Sequence, residues 1–577
     1  MIKVLTAEQM REVDRLTTDR YGIPSILLME NAAHAVARVI TEKLGGSVKG
    51  KSILILCGKG NNGGDGAALA RILSLAGAYI DVVLFGRVKD TKGDARTNFG
   101  VLCAEDFEYD DVLSSFFCEM HEIESKDAWN TFQLHHWQDA DIVVDAIFGT
   151  GLTRSLEIWL YNVIHELNFL GEDTERKPRL RVAIDIPSGL NADTGEQLDI
   201  AFQSDVTVTF TAPKAGNVLP GAARFNGELI VAEIGSEPDL IDEQPSQLYL
   251  AERDDASSWL EETAFSSNDY KNKRGHALIV AGFQDYSGAA VMCGNSAMRS
   301  GVGLTTLLVP ASCKVEVASR VIPEVIVGTL SEMDGEVSSD ALATNEDAIR
   351  QADSILIGPG LKATDKGVEK LVRKIVETRT VPVVVDAGAL WFFSLPKGLG
   401  DGVVLSSRSE QTYAEPRVEN HPVGSKQPTP LLRKEGSRVP LILTPHEGEF
   451  LRLLGTDDKE AIRDRVAAVR EYAVANNVIL VLKGERVLIG SPDGRVVVNP
   501  TGNSGLGKAG NGDTLAGILA GFVAQAVKFE IDIFETVVAA VYVAGLAGDV
   551  AERRYGKRVM TASDVRECLV DVFAEFE

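Results

Sequence analysis

Ser52-Ile-Leu-Ile-Leu-Cys-Gly-Lys-Gly-Asn-Asn-Gly-Gly-Asp-Gly66 decides the fold. Its first six residues form an apolar run that reads as a buried strand, Ser52–Cys57. The chain then passes straight into a glycine-rich loop, and Ala67–Ala76 carries helical spacing. Strand, glycine loop and helix in succession open a parallel sheet, whose ligands bind beyond the carboxyl ends of its strands. The glycines do not follow G-x-G-x-x-G, so the motif does not specify a plain dinucleotide fold. Asn61, Asn62 and Asp65 add polar side chains to a loop already suited to phosphate.

Outward from this unit the alternation continues. Ile80–Phe85, Ile142–Ala146, Val182–Ile186 and Val206–Phe210 read as further strands, preceded by helices over Thr6–Asp19 and Ser25–Lys43. Residues 104–137 are acidic and aromatic and read as an irregular insertion over one edge. Two strands deliver a carboxylate at their carboxyl ends, in Ile142-Val-Val-Asp145 and Val182-Ala-Ile-Asp185. That is a poor choice for packing and a good one for catalysis. Each aspartate alone could equally be a cap or a turn residue. Convergence could bring Asn62, Asp145 and Ser188 together as oxygen ligands, which suit a hard cation rather than zinc.

The pattern fades between Gly235 and Asn272, where a domain boundary is expected: residues 1–235, a linker over 236–254, and a second domain over 255–577. At 577 residues, two or more domains are required. Strands are predicted at His276–Ala281, Thr305–Val309, Ser354–Ile357, Val381–Asp386, Leu441–Thr444 and Val478–Leu482. Ser406–Ser437 reads as a surface loop. The last helices are placed over Gly512–Val527 and Phe534–Tyr555. Ahead of them stands Gly502-Asn-Ser-Gly-Leu-Gly-Lys-Ala-Gly-Asn-Gly-Asp513. Glycine amides and a helix start favour an anion. An aspartate at that junction either caps the helix or handles a proton or a cation.

The net charge of −25 argues against a nucleic-acid partner. The six cysteines are scattered without a C-x-x-C pair, which argues against zinc and fits a reducing compartment. The N-terminus becomes charged too soon for a signal peptide, and no uninterrupted apolar run reaches transmembrane length. A cytoplasmic protein with no membrane partner is expected.

Asn61-Asn-Gly-Gly-Asp-Gly66, Asp145-Ala-Ile-Phe-Gly-Thr-Gly151, Asp185-Ile-Pro-Ser-Gly189 and Thr211-Ala-Pro-Lys214 resemble the NAD(P)H-hydrate epimerase family over roughly residues 1–235. The resemblance implies a Rossmann-like domain that interconverts the R and S forms of hydrated NADH and NADPH. It implies potassium held by Asn62, Asp145 and Ser188. Substrate contacts would come from Asn61, Asn62, Gly63, Gly64 and Asp65, from Gly149, Thr150, Gly151, Leu152, Thr153, Arg154 and Ser155, and from Asp185. Inverting the hydroxyl-bearing carbon needs proton transfers, and Asp185 is the best-placed base.

Leu443-Thr-Pro-His-Glu-Gly-Glu449 and Gly502–Gly517 resemble the NAD(P)H-hydrate dehydratase family over about residues 255–575. That resemblance implies a ribokinase-like domain, so that the chain is α/β throughout, with two three-layer α/β/α domains. It implies loss of water from the S hydrate, driven by ADP or ATP, with ADP preferred and magnesium as companion ion. Lys483, Gly484, Glu485, Arg486, Val487 and Gly512 would bind nucleotide. Ala289, Gly360, His446 and Asp513 would bind the hydrate, with Asp513 as acid/base. Glu485, Arg486 and Lys508 stand where the family favours small residues. Both halves point to one repair pathway. The rivals are a vitamin or sugar kinase fused to a nucleotide-binding module, and a non-enzymatic regulatory first half. A homo-oligomer is expected.

Overall fold

A computed structural model describes residues 1–103, 118–136, 140–169, 180–333, 335–338, 340–341, 343–394 and 439–576. The chain divides into two compact units, one over Ile2–Leu248 and one beginning at Tyr249.

In the first unit the strands are β1 (Ser52–Cys57), β2 (Tyr79–Leu84), β3 (Cys118–Glu122), β4 (Ile142–Ala146), β5 (Leu180–Ile184), β6 (Val206–Phe210) and β7 (Glu228–Ala232). They lie in the order β3-β2-β1-β4-β5-β6-β7, and all neighbours run parallel. Side chains alternate between the faces of a strand, so an unbroken apolar run such as β1 must be covered on both sides. Ile53, Ile55 and Cys57 pack with Val36, Ile40 and Leu69 from helices Ser25–Lys43 and Asn61–Leu75. Leu54 and Leu56 face the opposite way, in a cluster with Trp129, Phe132 and Ile164. The order reverses between β1 and β4, which opens a crevice at their carboxyl ends.

Two expectations change here. The helix after β1 begins at Asn61 instead of Ala67, so the second half of the glycine loop is its first turn. A Cβ on Gly63 would stand 1.8 Å from the Gly58 carbonyl oxygen, which is why this turn carries glycine against its helix propensity. The stretch read as irregular contains β3 and helix Lys126–His136. Cys-Glu-Met-His-Glu has no apolar run, and its pairing with β2 supplies the order. Residues 104–117 lie outside the described ones.

The second unit contains β8 (His276–Val280), β9 (Leu304–Pro310), β10 (Ile326–Leu330), β11 (Ser354–Ile357), β12 (Val383–Val385), β13 (Leu441–Leu443), β14 (Ile479–Leu482), β15 (Leu488–Gly490) and β16 (Val496–Val498). Their order is β16-β15-β14-β13-β12-β11-β8-β9-β10. Pairing is parallel from β14 to β10 and antiparallel over β14-β15-β16. β10, β15 and β16 were not legible as strands, being short or half exposed. Helix Ile533–Tyr555 is long and apolar enough to cross a membrane. It is instead a core helix, burying Val537, Val541, Ala547 and Ala551. Cys57 and Cys293 are buried free thiols. The segment Ser406–Ser437 lies outside the described residues.

Candidate active sites

The crevice between β1 and β4 gathers the first constellation. Asp145, at zero exposure, is the penultimate residue of β4, inside the sheet. Its carboxylate accepts from the Ser188 hydroxyl at 2.6 Å and from the Ser188 and Ile147 amides at 2.7 and 3.2 Å. Ser188 Oγ in turn accepts from the Phe148 amide at 2.9 Å, and Asn62 Nδ2 donates to the Phe148 carbonyl at 2.9 Å. Ser188 and Asn62 therefore meet at Phe148, and Ser188 links Asp145 to them. Every donor to Asp145 is neutral, and among the described residues no cationic side chain lies within ion-pair distance of it. Burial pushes its carboxyl up to about 6, against the hydrogen bonds from Ser188 and Ile147. An anion buried without a counter-charge, beside the Ser188 hydroxyl and near the Phe148 carbonyl that Ser188 and Asn62 both touch, suits a hard cation.

Asp185 follows β5 with φ +65°, a left-handed conformation costly for a non-glycine residue. Asn217 Nδ2 clamps its carbonyl at 3.0 Å. Its Oδ1 accepts from Lys214 Nζ at 2.6 Å and Thr209 Oγ1 at 2.9 Å. Lys214 is 2% exposed and was not recognised as a site residue. The signal was a lysine placed just past an apolar strand, β6. Asp65 and Asp14 face the same centre. Burial, and then the Asp185 charge, push Asp65 well above the carboxylate range. Burial pushes Asp14 up to about 6.

The glycine-threonine loop after β4 starts beside Asn62: a Cβ on Gly149 would lie 3.3 Å from the Asn62 side chain. Thr150 is half-buried and Leu152 is buried, while Gly151, Thr153, Arg154 and Ser155 are exposed. Asn61 is exposed, whereas Asn62, Gly63, Gly64 and Asp65 are buried in the first turn of their helix. That helix has Gly60 as its N-cap, with no side-chain cap bond to its first amides, which suits an anion.

In the second unit the carboxyl ends of β11 to β14 converge. Lys483 follows β14, and its Nζ donates to Asp386 Oδ1 at 2.7 Å, with Glu449 4.0 Å away. Burial alone would lower this ammonium, but the Asp386 and Glu449 charges outweigh it and hold it above its usual value. A Cβ on Gly512 would lie 3.6 Å from Lys483 Nζ. His446 bridges to Lys483 through the backbone. Its Nδ1 accepts from the Gly448 and Glu449 amides at 3.1 and 3.4 Å, capping helix Glu447–Leu453. Gly360 has φ +70°, and a Cβ there would stand 3.0 Å from that of Ala289, so these two line one wall.

Asp513 is not a cap. Helix Asn511–Phe529 is capped by Gly510 without a side-chain bond, and Asp513 lies in its first turn. Burial, then Asp386, push Asp513 up to about 6, with Lys483 opposing.

The nucleotide segment divides. Gly484 and Glu485 are exposed, and Arg465 Nη2 stands 3.0 Å from where a Cβ on Gly484 would be. Arg486 turns away to the Pro500 carbonyl, and Val487 packs against the core. Lys508 leaves the glycine loop to donate to the carbonyls of Arg558 and Met560 at 2.7 and 2.8 Å. These bonds show how two of the three departures, Arg486 and Lys508, are accommodated. Asp386, Glu449 and Arg465 are contributors that their spacing did not reveal.

Residues 25–216 match the family described as YjeF-related protein N-terminus, and residues 277–405 and 426–570 match NAD(P)H-hydrate dehydratase. The chain is 35% identical over 575 residues to the bifunctional NAD(P)H-hydrate repair enzyme of Moorella thermoacetica, covering 100% of this chain and 97% of that one. The enzyme of the same name from Thermofilum pendens is 32% identical, with 97% and 94% covered. A solved ADP/ATP-dependent NAD(P)H-hydrate dehydratase from Bacillus subtilis, co-crystallised with ATP and magnesium, is 28% identical. It covers 54% of this chain and 94% of its own, at TM-score 0.41.

Proposed function

This chain belongs to the family of bifunctional NAD(P)H-hydrate repair enzymes, and we infer that it carries both of that family's activities. The first unit epimerises the R and S hydrates of NADH and NADPH. The second dehydrates the S hydrate to NAD(P)H at the expense of ADP or ATP. The observation that carries this is the pairing, in one chain, of a lysine-held aspartate at a switch-point crevice with an aspartate in the first turn of an open helix. Full-length kinship with repair enzymes favours dehydration over the rival vitamin or sugar kinase.

In the first unit Asp185 holds the proton in transit at its Oδ2, since Oδ1 is taken by Lys214 and Thr209. Asn62, Asp145 and Ser188 would hold potassium, which supplies the counter-charge to Asp145. Asn61 to Asp65 and Gly149 to Ser155 would orient the substrate. In the second unit Asp513 takes the hydroxyl proton while that oxygen accepts the nucleotide's terminal phosphate. Phosphate then leaves with the C–O bond, a neighbouring carbon loses its proton, and the ring double bond returns. Lys483 and the amides around Gly512 would neutralise the transferring phosphate. Ala289, Gly360 and His446 would line the hydrate. Asp386 and Glu449 offer hard oxygen donors suited to the magnesium of a nucleotide, which lends further charge neutralisation.

The test is absorbance in the reduced-nicotinamide band after mixing the protein with an R/S hydrate mixture, potassium, magnesium and ADP or ATP. Complete recovery that requires nucleotide is expected. Recovery of the S fraction alone, after spontaneous epimerisation is subtracted, refutes the first activity; no recovery with either nucleotide refutes the second. Replacing potassium by sodium is expected to slow epimerisation several-fold and leave dehydration unchanged. Equal epimerisation rates in both salts refute the cation site.

A further inference from the structure

Among the described residues of the first unit Lys214 is a cation at only 2% exposure, and the epimerisation just described assigns it no proton to move. All three of its ammonium hydrogens are spoken for: Asp185 Oδ1 at 2.6 Å, Thr209 Oγ1 at 2.9 Å and the Phe210 carbonyl at 3.1 Å. Desolvating an ammonium costs several kcal/mol unless it is paired and hydrogen-bonded. A purely structural site could be filled by a neutral side chain. The surrounding framework is built for this contact. Asn217 Oδ1 accepts from the Lys214 amide at 2.8 Å, while Nδ2 of the same side chain donates to the Asp185 carbonyl at 3.0 Å. One amide thus fixes the backbones of both partners. Asn226 holds Asn217 in turn at 3.0 Å. Asp185 and Thr211, which flank the lysine's contacts, both have φ above +60°.

We propose that Lys214 is a positioning residue for epimerisation: it binds one oxygen of Asp185 with its ammonium charge and presents the other to substrate. This rests on the epimerase reading above. The charged groups facing the pair are the carboxyls of Asp14, from helix Ala7–Tyr21, and Asp65, from helix Asn61–Leu75. Both are acids, so among the described residues it is Lys214 that brings positive charge to Asp185. Without it three carboxyls would share one small volume, and like charges resist joint ionisation.

The experiment compares wild type, Lys214→Met and Lys214→Arg across pH, following R to S exchange with dehydration by the same chain as second readout. Wild-type exchange must be present first; its absence refutes the epimerase reading and not the role of the lysine. Given exchange, Lys214→Met is expected to lose about 10²-fold or more in kcat, to keep its KM within a few-fold, and to move the acid limb of the profile to higher pH. Lys214→Arg should restore part of the rate and return the limb toward wild type. Thr209→Val, which removes a neutral donor to the same oxygen, serves if Lys214→Met does not fold; it should lower kcat with the limb in place. A folded Lys214→Met with an unmoved limb, or a Thr209→Val with full activity, overturns the proposal.

Discussion

Asp513→Asn is expected to reduce nucleotide-driven dehydration by about 10³-fold, within the range that one positioned acid or base supplies, while epimerisation continues at the wild-type rate. Asparagine keeps the shape of the side chain and removes its capacity to take the hydroxyl proton. Burial and the Asp386 charge already disfavour the anion, lifting the carboxyl to about 6. A carboxyl so raised is protonated, and useless as a base, below that value. Wild-type dehydration should therefore climb with pH through about 6 and level off above it, and the climb should be absent from whatever activity Asp513→Asn retains. The same sign governs stability. The folded state bears the cost of this anion at neutral pH, so the neutral variant should melt no lower than wild type at pH 7. Activity within tenfold of wild type would remove Asp513 from the chemistry.

How far the sequence reached depended on the kind of signal. β1, β4, β6 and β11 were legible to the residue because each is a short run of apolar or β-branched residues followed by a glycine or polar turn. Asn62, Asp145 and Ser188 were legible as a set because each stands near or just beyond the carboxyl end of a strand, and parallel strands deliver such residues to one edge. β3 was not, since an acidic edge strand shows neither alternation nor an apolar run. The helix starting at Asn61 was hidden by its glycines, which read as loop until a neighbouring backbone is found 1.8 Å from a missing Cβ. Lys214, Asp386 and Glu449 were missed for a different reason. Their significance lies in partners 29, 97 and 34 residues away, measured to Asp185 for the first and to Lys483 for the others. No spacing rule reports an ion pair closed by the fold. The resemblance, in contrast, rested on local motifs, and those are the parts a single sequence preserves best.

Asp185→Asn separates base from scaffold in the first unit. The asparagine can still accept from Lys214 and Thr209 through its oxygen, and the Asn217 clamp on the carbonyl at 3.0 Å is untouched. What disappears is the anion. Epimer exchange should fall by about 10³-fold, to the spontaneous rate, with binding of the hydrates retained. Stability should fall too, because an ammonium at 2% exposure loses its counter-charge; breaking such a pair costs about 3 kcal/mol. The loss should be smaller when Lys214→Met is added, since removing both partners leaves no orphaned charge. Residues that act as one unit are not additive. The double variant should accordingly exchange epimers no more slowly than Asp185→Asn alone and melt higher. Exchange that survives Asp185→Asn at the wild-type rate would transfer the base to another carboxyl, and Asp65, buried in the same centre, would be the next to replace.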